Sequence, residues 1–597
     1  MFAPGRRKCL FGGLLILVTV LGIVTIFDFD SREPYTFSGV IRSNILSRRT
    51  TTLDYPIYGQ EHPTTESFSY RSETLDPRLP TPPGDLGAAV TLGVTDAQVA
   101  ALVKAGYDAQ GLNQFLSDMM SVNRRLPETR DKWCKEPGRF LPHLPETSIV
   151  IVFYNEAWSV LVRTIHSILN RTPPYLIKEI VLVDDYSFMP NLKTQLDEYL
   201  RPHPKVRILR ATERQGLIRA RLLGAKNTTA QLITFLDAHV EVTVGWLEAL
   251  VDQVARNWRT IAIPTIDWID EHDMHLRSEN APSYFGAYDW DLNFGWWGRW
   301  SRKNQPANKL EPFDTPAMAG GLFTINRTFF EVLGWYDEGF EIYGIENIEL
   351  SMKSWICGGK MVTVPCSRVA HIQKTGHPYL SHTTKDVVRG NSLRLAEVWM
   401  DEYKQVIFDI YGLPRYPVEE LGDVSRRKEI RRKADCKTFR SYIETAFPEM
   451  KNPLVLGAFR GEMKNKALGN NTCLEYLTET NSLAMKPCDH KEEGQFWAHN
   501  YYQELNNRKH CIDYTGIGDL PDVFGCHRTK GNQAWRFLPK NNQIYSIKHE
   551  KCLAVDMNAY QARLEKTLVM EKCVAGKESQ QWMVEFVKLD VSIFSPN

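Results

Sequence analysis

The sequence predicts two folded bodies in one chain: an α/β domain on a mostly parallel sheet, then an all-β domain of three repeated units. Short apolar runs alternate with helix-period segments from about residue 148, the pattern of strands whose two faces are covered by crossover helices. After about residue 456 the alternation stops and a Cys…Gln-x-Trp layout recurs three times. An apolar segment near the N-terminus stands apart from both, as a single transmembrane helix would. The 597 residues leave room for several domains. A formal net charge of +1 excludes a nucleic-acid binder working through bulk charge. With 43% hydrophobic and 24% charged residues, wholesale disorder is excluded too.

Arg6, Arg7 and Lys8 precede the apolar run Cys9 to Phe27, and Asp28, Asp30 and Glu33 follow it. As a helix the run rises about 28 Å, enough for a thin bilayer. No A-x-A-like cleavage site follows, which favours an uncleaved signal anchor over a removed signal peptide. Residues 1–8 are then the cytosolic tail, 9–27 the transmembrane anchor, and all that follows is luminal. Cys9 falls at the cytosolic edge, so ten of the 11 cysteines form an even luminal set, as disulfides in an oxidising compartment require. Sequons at Asn170, Asn227, Asn326 and Asn470 are compatible with that compartment. Residues 28–95 are rich in Pro, Ser and Thr and read as a luminal stem.

Helical stretches are expected from Thr95 through Val103 and from Leu112 to Asn123, stopped by Leu126-Pro127. Strands follow at Ile149–Phe153, Glu179–Val183 running into Asp184-Asp185, Val206–Leu209, and Leu232–Leu236 ending in Asp237. Acidic residues just past strand carboxyl ends lie where open α/β sheets bind ligands. No G-x-G-x-x-G or Walker loop accompanies them, which argues against dehydrogenases and ATPases. In Asp237-Ala238-His239 the first and third side chains of an extended chain point the same way, so carboxylate and imidazole can converge on one divalent ion such as Mn²⁺. Standing alone, the same triplet reads as a surface turn. The basic stretch Arg426–Lys433 reads as a solvated helix face. The aromatic run Trp296, Trp297 and Trp300, with Asp289-Trp290-Asp291, fits an acceptor platform or core equally well.

The three C-terminal units are Cys473-Leu474-Glu475 with Gln495-Phe496-Trp497, Cys511-Ile512-Asp513 with Gln533-Ala534-Trp535, and Cys552–Asp556 with Gln580-Gln581-Trp582. A triple repeat of this length implies stacked units closing one core. Its pattern resembles the ricin-type β-trefoil lectins. The tryptophans are sugar-site residues or trefoil core alone. Asp513 and Tyr514 in the middle unit are the candidate sugar pocket, because Glu475 replaces the usual Asp and the third unit has its acid late.

Longer matches carry a second resemblance: Leu182–Ser187, Thr234–His239, Ala319–Phe323, Tyr343–Leu350, Pro365–His371 and Ala396–Glu402. In this order they resemble the UDP-GalNAc:polypeptide N-acetylgalactosaminyltransferases, which start mucin-type O-glycosylation. The resemblance implies a GT-A catalytic domain over 96–450, a ricin B-type β-trefoil over 456–597, and a single-pass type II protein of the Golgi membrane. It implies a retaining transfer of GalNAc from UDP-GalNAc to Ser/Thr hydroxyls of polypeptides, with Mn²⁺, and GalNAc-glycopeptides as lectin partners.

Position by position, the resemblance makes Asp237, His239 and His371 the metal ligands. Asp185 and Arg214 take the uridine side, Arg221 a basic donor-site position, and Ala319, Gly320 and Gly321 the donor-sugar pocket. Glu346 and Asn347 are the pair beneath the reacting sugar. Tyr343 and Lys374 join the donor site, Lys374 where Arg is usual and Tyr343 where Trp is usual. Ile345 replaces a Gly, Ala238 a Ser and Val152 a Thr; these features resemble a subgroup with Tyr in this motif. Ile345 is expected to crowd the sugar or restrict the backbone. The segment from Gln373 to Val387 is expected to be a loop over UDP. The implied disulfides are Cys134–Cys366, Cys357–Cys436, Cys473–Cys488, Cys511–Cys526 and Cys552–Cys573. Two other readings stand beside this one: a catalytically silent relative binding glycopeptides through its trefoil, and a transferase of another donor sugar.

Overall fold

The computed structural model describes residues 81–584, apart from 93–96, 280, 303–304, 376–386, 411–420, 451–458, 491, 500–502, 508–509, 528 and 565. The expected anchor, the first part of the stem and most of the expected loop over UDP lie outside the described residues. Among the described residues, no helix is long and apolar enough to cross a membrane.

The α/β domain is a mixed sheet whose parallel half matches the alternation in the sequence. Besides the two-residue strand Leu276–Arg277 paired with the end of β6, its strands are β1 (Thr147–Phe153), β2 (Ile177–Asp184), β3 (Val206–Arg210), β4 (Leu232–Asp237), β5 (Val240–Val242), β6 (Thr260–Ile269), β7 (Phe313–Asp314), β8 (Phe323–Asn326) and β9 (Lys360–Ile372). The order across the sheet is β7-β9-β6-β8-β4-β1-β2-β3. β4, β1, β2 and β3 run parallel, β9 and β6 run parallel, and β8 lies antiparallel between β4 and β6. Every residue of β1 is buried, as a strand covered on both faces must be. Helices α1 (Trp158–Arg171), α2 (Leu217–Lys226) and α3 (Trp246–Arg256) flank it, and two apolar cores form, one on each face.

The register of this sheet places the cleft. Val152 pairs with Asp237 across β1 and β4, so both strands end at one level. β9 pairs with β6 along most of its length and with β5 at His371 and Val240. That antiparallel pairing brings His371 back beside the Asp237-Ala238-His239 end of β4. Upstream, helices form at Ala97–Gln110 and Gln114–Met119, with Gly111 at φ 68° between them. Residues 81–92, within the expected stem, pack on the α/β domain: Asp85 is buried against Arg125, and Val90 donates to the Asp273 carbonyl at 2.8 Å.

The C-terminal domain is all β from Arg460 to Val584 apart from short helical turns, around a core holding Trp497, Trp535 and Trp582. The three indoles do the same thing. Trp497 Nε1 donates to the Leu474 carbonyl at 2.9 Å, Trp535 Nε1 to Ile512 at 2.8 Å, and Trp582 Nε1 to Leu553 at 2.9 Å. The preceding glutamines repeat as well: Gln495, Gln533 and Gln580 Nε2 donate to the carbonyls of Pro487, Gly525 and Lys572. All three tryptophans are no more than 1% exposed, so they are core in every unit. The five expected disulfides are formed.

Candidate active site

Asp237 ends β4, and a sharp reversal into β5 lets His239 face the same space. Ligand atoms of Asp237, His239 and His371 all lie within 4.8 Å of one another. His371 Nε2 is 3.3 Å from Asp237 Oδ2, and the two imidazole rings meet edge-on at 4.8 Å. One carboxylate and two imidazoles suit a divalent first-row metal. Gly321 keeps this space open: a Cβ there would fall 2.1 Å from Asp237 Oδ2. The donor set and the room beside it therefore fit one ion. Two other groupings of Glu with Cys do not, since their cysteines are disulfide-bonded.

Arg221 anchors the floor from α2. Its guanidinium donates to Asp237 Oδ1 at 3.0 Å and reaches Glu346 Oε1 at 3.4 Å, with all three side chains largely buried. Burial opposes the Asp237 charge, but His371, Arg221 and His239 outweigh it and hold the carboxyl below its ordinary range. For Glu346 burial wins over Arg221, and its carboxyl rises above the ordinary range. Burial also lifts Tyr336, whose hydroxyl lies in the same buried group.

Glu346 and Asn347 open the helix α4 (Glu346–Ile356). Asn347 donates to the Met318 carbonyl at 3.0 Å, and a Cβ on Gly320, at φ 96°, would strike Asn347 Cβ at 2.6 Å. The small residues before β8 thus let the chain pass close over α4, with Ala319 exposed at the rim. Ile345 sits at φ 76° with its side chain 4% exposed in the apolar core. Its bulk is accommodated by the core, so the Gly replacement falls on the backbone, where a β-branched residue in this region is strained by about 1–3 kcal/mol. Tyr343 is half-buried, and burial together with Glu346 and Asp237 pushes its hydroxyl up to about 12.

At the other end of the cleft Asp185 is fully buried. Its oxygens accept from the backbone of Gln215 and Gly216 at 2.7 and 3.0 Å and pair with Arg214, whose guanidinium stacks 3.8 Å over the Tyr154 ring. Asp185 therefore shapes the turn that presents Arg214. Lys374 lies inside the site, bonded to Glu156. Glu156 went unnoticed in the sequence: it follows β1 by three residues and also contacts His239 Nδ1 at 3.1 Å. Its only sequence signal is its place beyond a strand carboxyl end. Burial would raise the Glu156 carboxyl, but Lys374 and His239 hold it down to about 2.

The aromatic run divides. Trp297 packs on Phe447 and Trp290 stacks on Tyr403, while Trp296 is half exposed. In the basic stretch, helix α5 (Ser425–Lys433), Arg427 is buried against Glu349 while Arg426 and Arg432 face solvent. A cavity of about 660 Å³ nearby shares no residue with the cleft, and most of its charged lining is already ion-paired.

In the trefoil the three acids differ. Glu475 accepts from Gln495 at 2.7 Å, and Asp556 caps the short helix Met557–Gln561. Asp513 is buried with its Oδ1 lacking a hydrogen-bond partner, and the buried Nε2 of His549, just ahead of Cys552, is in the same state. Tyr514 differs from expectation. It is 1% exposed, its hydroxyl donates to the Gly518 carbonyl at 2.9 Å, and its ring packs on His549. A ring so enclosed cannot stack on a sugar, so Tyr514 supports the loop beside Asp513.

The family model "Glycosyl transferase family 2" matches residues 148–333, and "Ricin-type beta-trefoil lectin domain" matches 459–582. Putative polypeptide N-acetylgalactosaminyltransferase 9 of Drosophila melanogaster is 41% identical over 84% of this chain and 77% of its own length. Polypeptide N-acetylgalactosaminyltransferase 10 of Homo sapiens is 36% identical over 82% of each chain. The crystal structure of GalNAc-T7 with UDP, GalNAc and Mn²⁺ superposes with a TM-score of 0.69 at 30% identity, covering 88% of this chain and 100% of that one. Long identity across both domains, with the cleft assembled as described, places this chain in the polypeptide N-acetylgalactosaminyltransferase family.

Proposed function

We propose that the protein transfers GalNAc from UDP-GalNAc to Ser/Thr hydroxyls of polypeptides with retention of configuration, and uses its trefoil to engage GalNAc-glycopeptides. The observation that carries this is the convergence of Asp237, His239 and His371 beside the Glu346–Asn347 helix start. These three residues would hold Mn²⁺, which when bound supplies positive charge against the departing diphosphate. Arg221 fixes the Asp237 carboxylate, and the Gly320-Gly321 approach leaves space for the sugar. Arg214, held by Asp185, meets the nucleotide side, and Lys374 and Tyr343 complete the donor site. Glu346, with its raised carboxyl, positions the sugar and supports it electrostatically. The acceptor oxygen bonds to the anomeric carbon as the carbon–oxygen bond to UDP breaks, and the hydroxyl proton passes to the leaving diphosphate.

In the trefoil, Asp513 is the best-supported sugar contact, because its carboxylate alone of the three keeps an uncommitted buried oxygen. The basic flank and apolar run of the N-terminus support a single-pass type II anchor in the Golgi membrane, and five disulfides suit that compartment. Incubating the full chain with UDP-GalNAc, Mn²⁺ and panels of peptides and GalNAc-glycopeptides should give α-GalNAc on Ser/Thr. UDP–Mn²⁺ binding without transfer would leave a glycopeptide-binding relative, and selective transfer from another UDP-sugar would change the donor.

A further inference from the structure

We propose that Glu156 is a positioning residue serving two parts of the cleft at once: one buried carboxylate fixes the imidazole of His239 and tethers Lys374. Its side chain is 6% exposed. Oε2 lies 3.1 Å from His239 Nδ1, and Lys374 Nζ donates to Oε1 and Oε2 at 2.6 and 2.8 Å. The Ala157 amide adds a 3.2 Å bond to Oε1.

The chemistry follows from the imidazole. A ring that donates from Nδ1 keeps its lone pair on Nε2, the nitrogen then available to a metal. Without an acceptor at Nδ1, the ring is free to rotate or to take the other tautomer, and the ligand set loosens. A buried carboxylate is costly unless paired, and Lys374 is the cation that pairs it. That pairing also holds Lys374 beside the metal ligands, with its side chain 10% exposed. A Lys suits this arrangement: its compact ammonium reaches both oxygens of one carboxylate from a single nitrogen.

This inference rests on the cleft reading above, but its test does not need turnover. Mn²⁺ alone is titrated into the full chain, with free ion read by electron paramagnetic resonance. Glu156→Ala should weaken Mn²⁺ binding about 10–100-fold. Glu156→Gln retains an oxygen for His239 Nδ1 and should bind Mn²⁺ within about threefold of wild type. Because Gln cannot pair the ammonium, Glu156→Gln should share with Lys374→Met a rise of about tenfold in the Kd for UDP measured with Mn²⁺ present. Wild-type Mn²⁺ affinity in Glu156→Ala would overturn the proposal, as would a loss in Lys374→Met equal to that in Glu156→Ala. Should Glu156→Ala fail to fold, the wild type decides. With ¹⁵N-labelled histidine and no metal, an Nδ1–H tautomer at His239 agrees and an Nε2–H tautomer overturns it. Mn²⁺ effects as expected in a protein that transfers no GalNAc would refute the function while leaving this role intact.

Discussion

The trefoil and the catalytic cleft secure their polar groups in opposite ways. Each trefoil unit repeats one set of local contacts: the Trp535 indole reaches Ile512, Gln533 reaches Gly525, and Cys511 bridges to Cys526, all within one stretch of chain. The cleft collects its groups from across the sequence. Arg221 meets Glu346 125 residues away, and Glu156 meets Lys374 218 residues away. The trefoil bonds are neutral and repeated, whereas those of the cleft are ionic and each occurs once. Losing one of them should therefore cost more in the cleft, where a buried charge is left behind, than in the trefoil, where one bond of a repeated set is lost.

That contrast can be broken at several places. Arg221→Met would strand the Asp237 and Glu346 carboxylates, and denaturant unfolding of the catalytic body should show a loss of about 3–5 kcal/mol. Trp535→Ala should cost about as much through its cavity, about 3–5 kcal/mol, but in the trefoil transition alone. Trp535→Phe, which removes chiefly the indole bond, should cost only about 1 kcal/mol. A Phe loss as large as that of Arg221→Met would dissolve the distinction.

A smaller effect is visible in pH. Lys353, buried against Glu349, is pushed by desolvation down to about 8. Between pH 8 and about 10.4 the unfolded chain therefore binds more protons than the folded one, and stability rises with pH on this account. Lys353→Met should remove that rise, which parallel melts across the window would register.

This difference also decides what the sequence could reveal. The strand expected at Ile149–Phe153 appears as Thr147–Phe153, and that at Leu232–Leu236 as Leu232–Asp237, because two-sided burial writes itself into each strand. The trefoil was legible for the same reason: its contacts are local and repeated. The helix expected to Val103 runs on to Gln110, since polar residues there carry no apolar stripe to mark its end. Asp237 and His239 could be read from spacing, but His371 came only from resemblance, being brought in by the β5–β9 pairing. Glu156 and the enclosure of Tyr514 were not legible. Both depend on which distant side chains close over them.

The division of labour between the two regions is tested most directly by one comparison. GalNAc transfer by wild type, Asp237→Ala and Asp513→Ala is measured on a Ser/Thr peptide and on its GalNAc-glycopeptide counterpart. The account predicts that Asp237→Ala loses at least about a hundredfold on both substrates. Asp513→Ala should keep peptide transfer and lose its preference for the glycopeptide. Near-wild-type transfer by both variants on both substrates, or loss of plain-peptide transfer in Asp513→Ala, would contradict it.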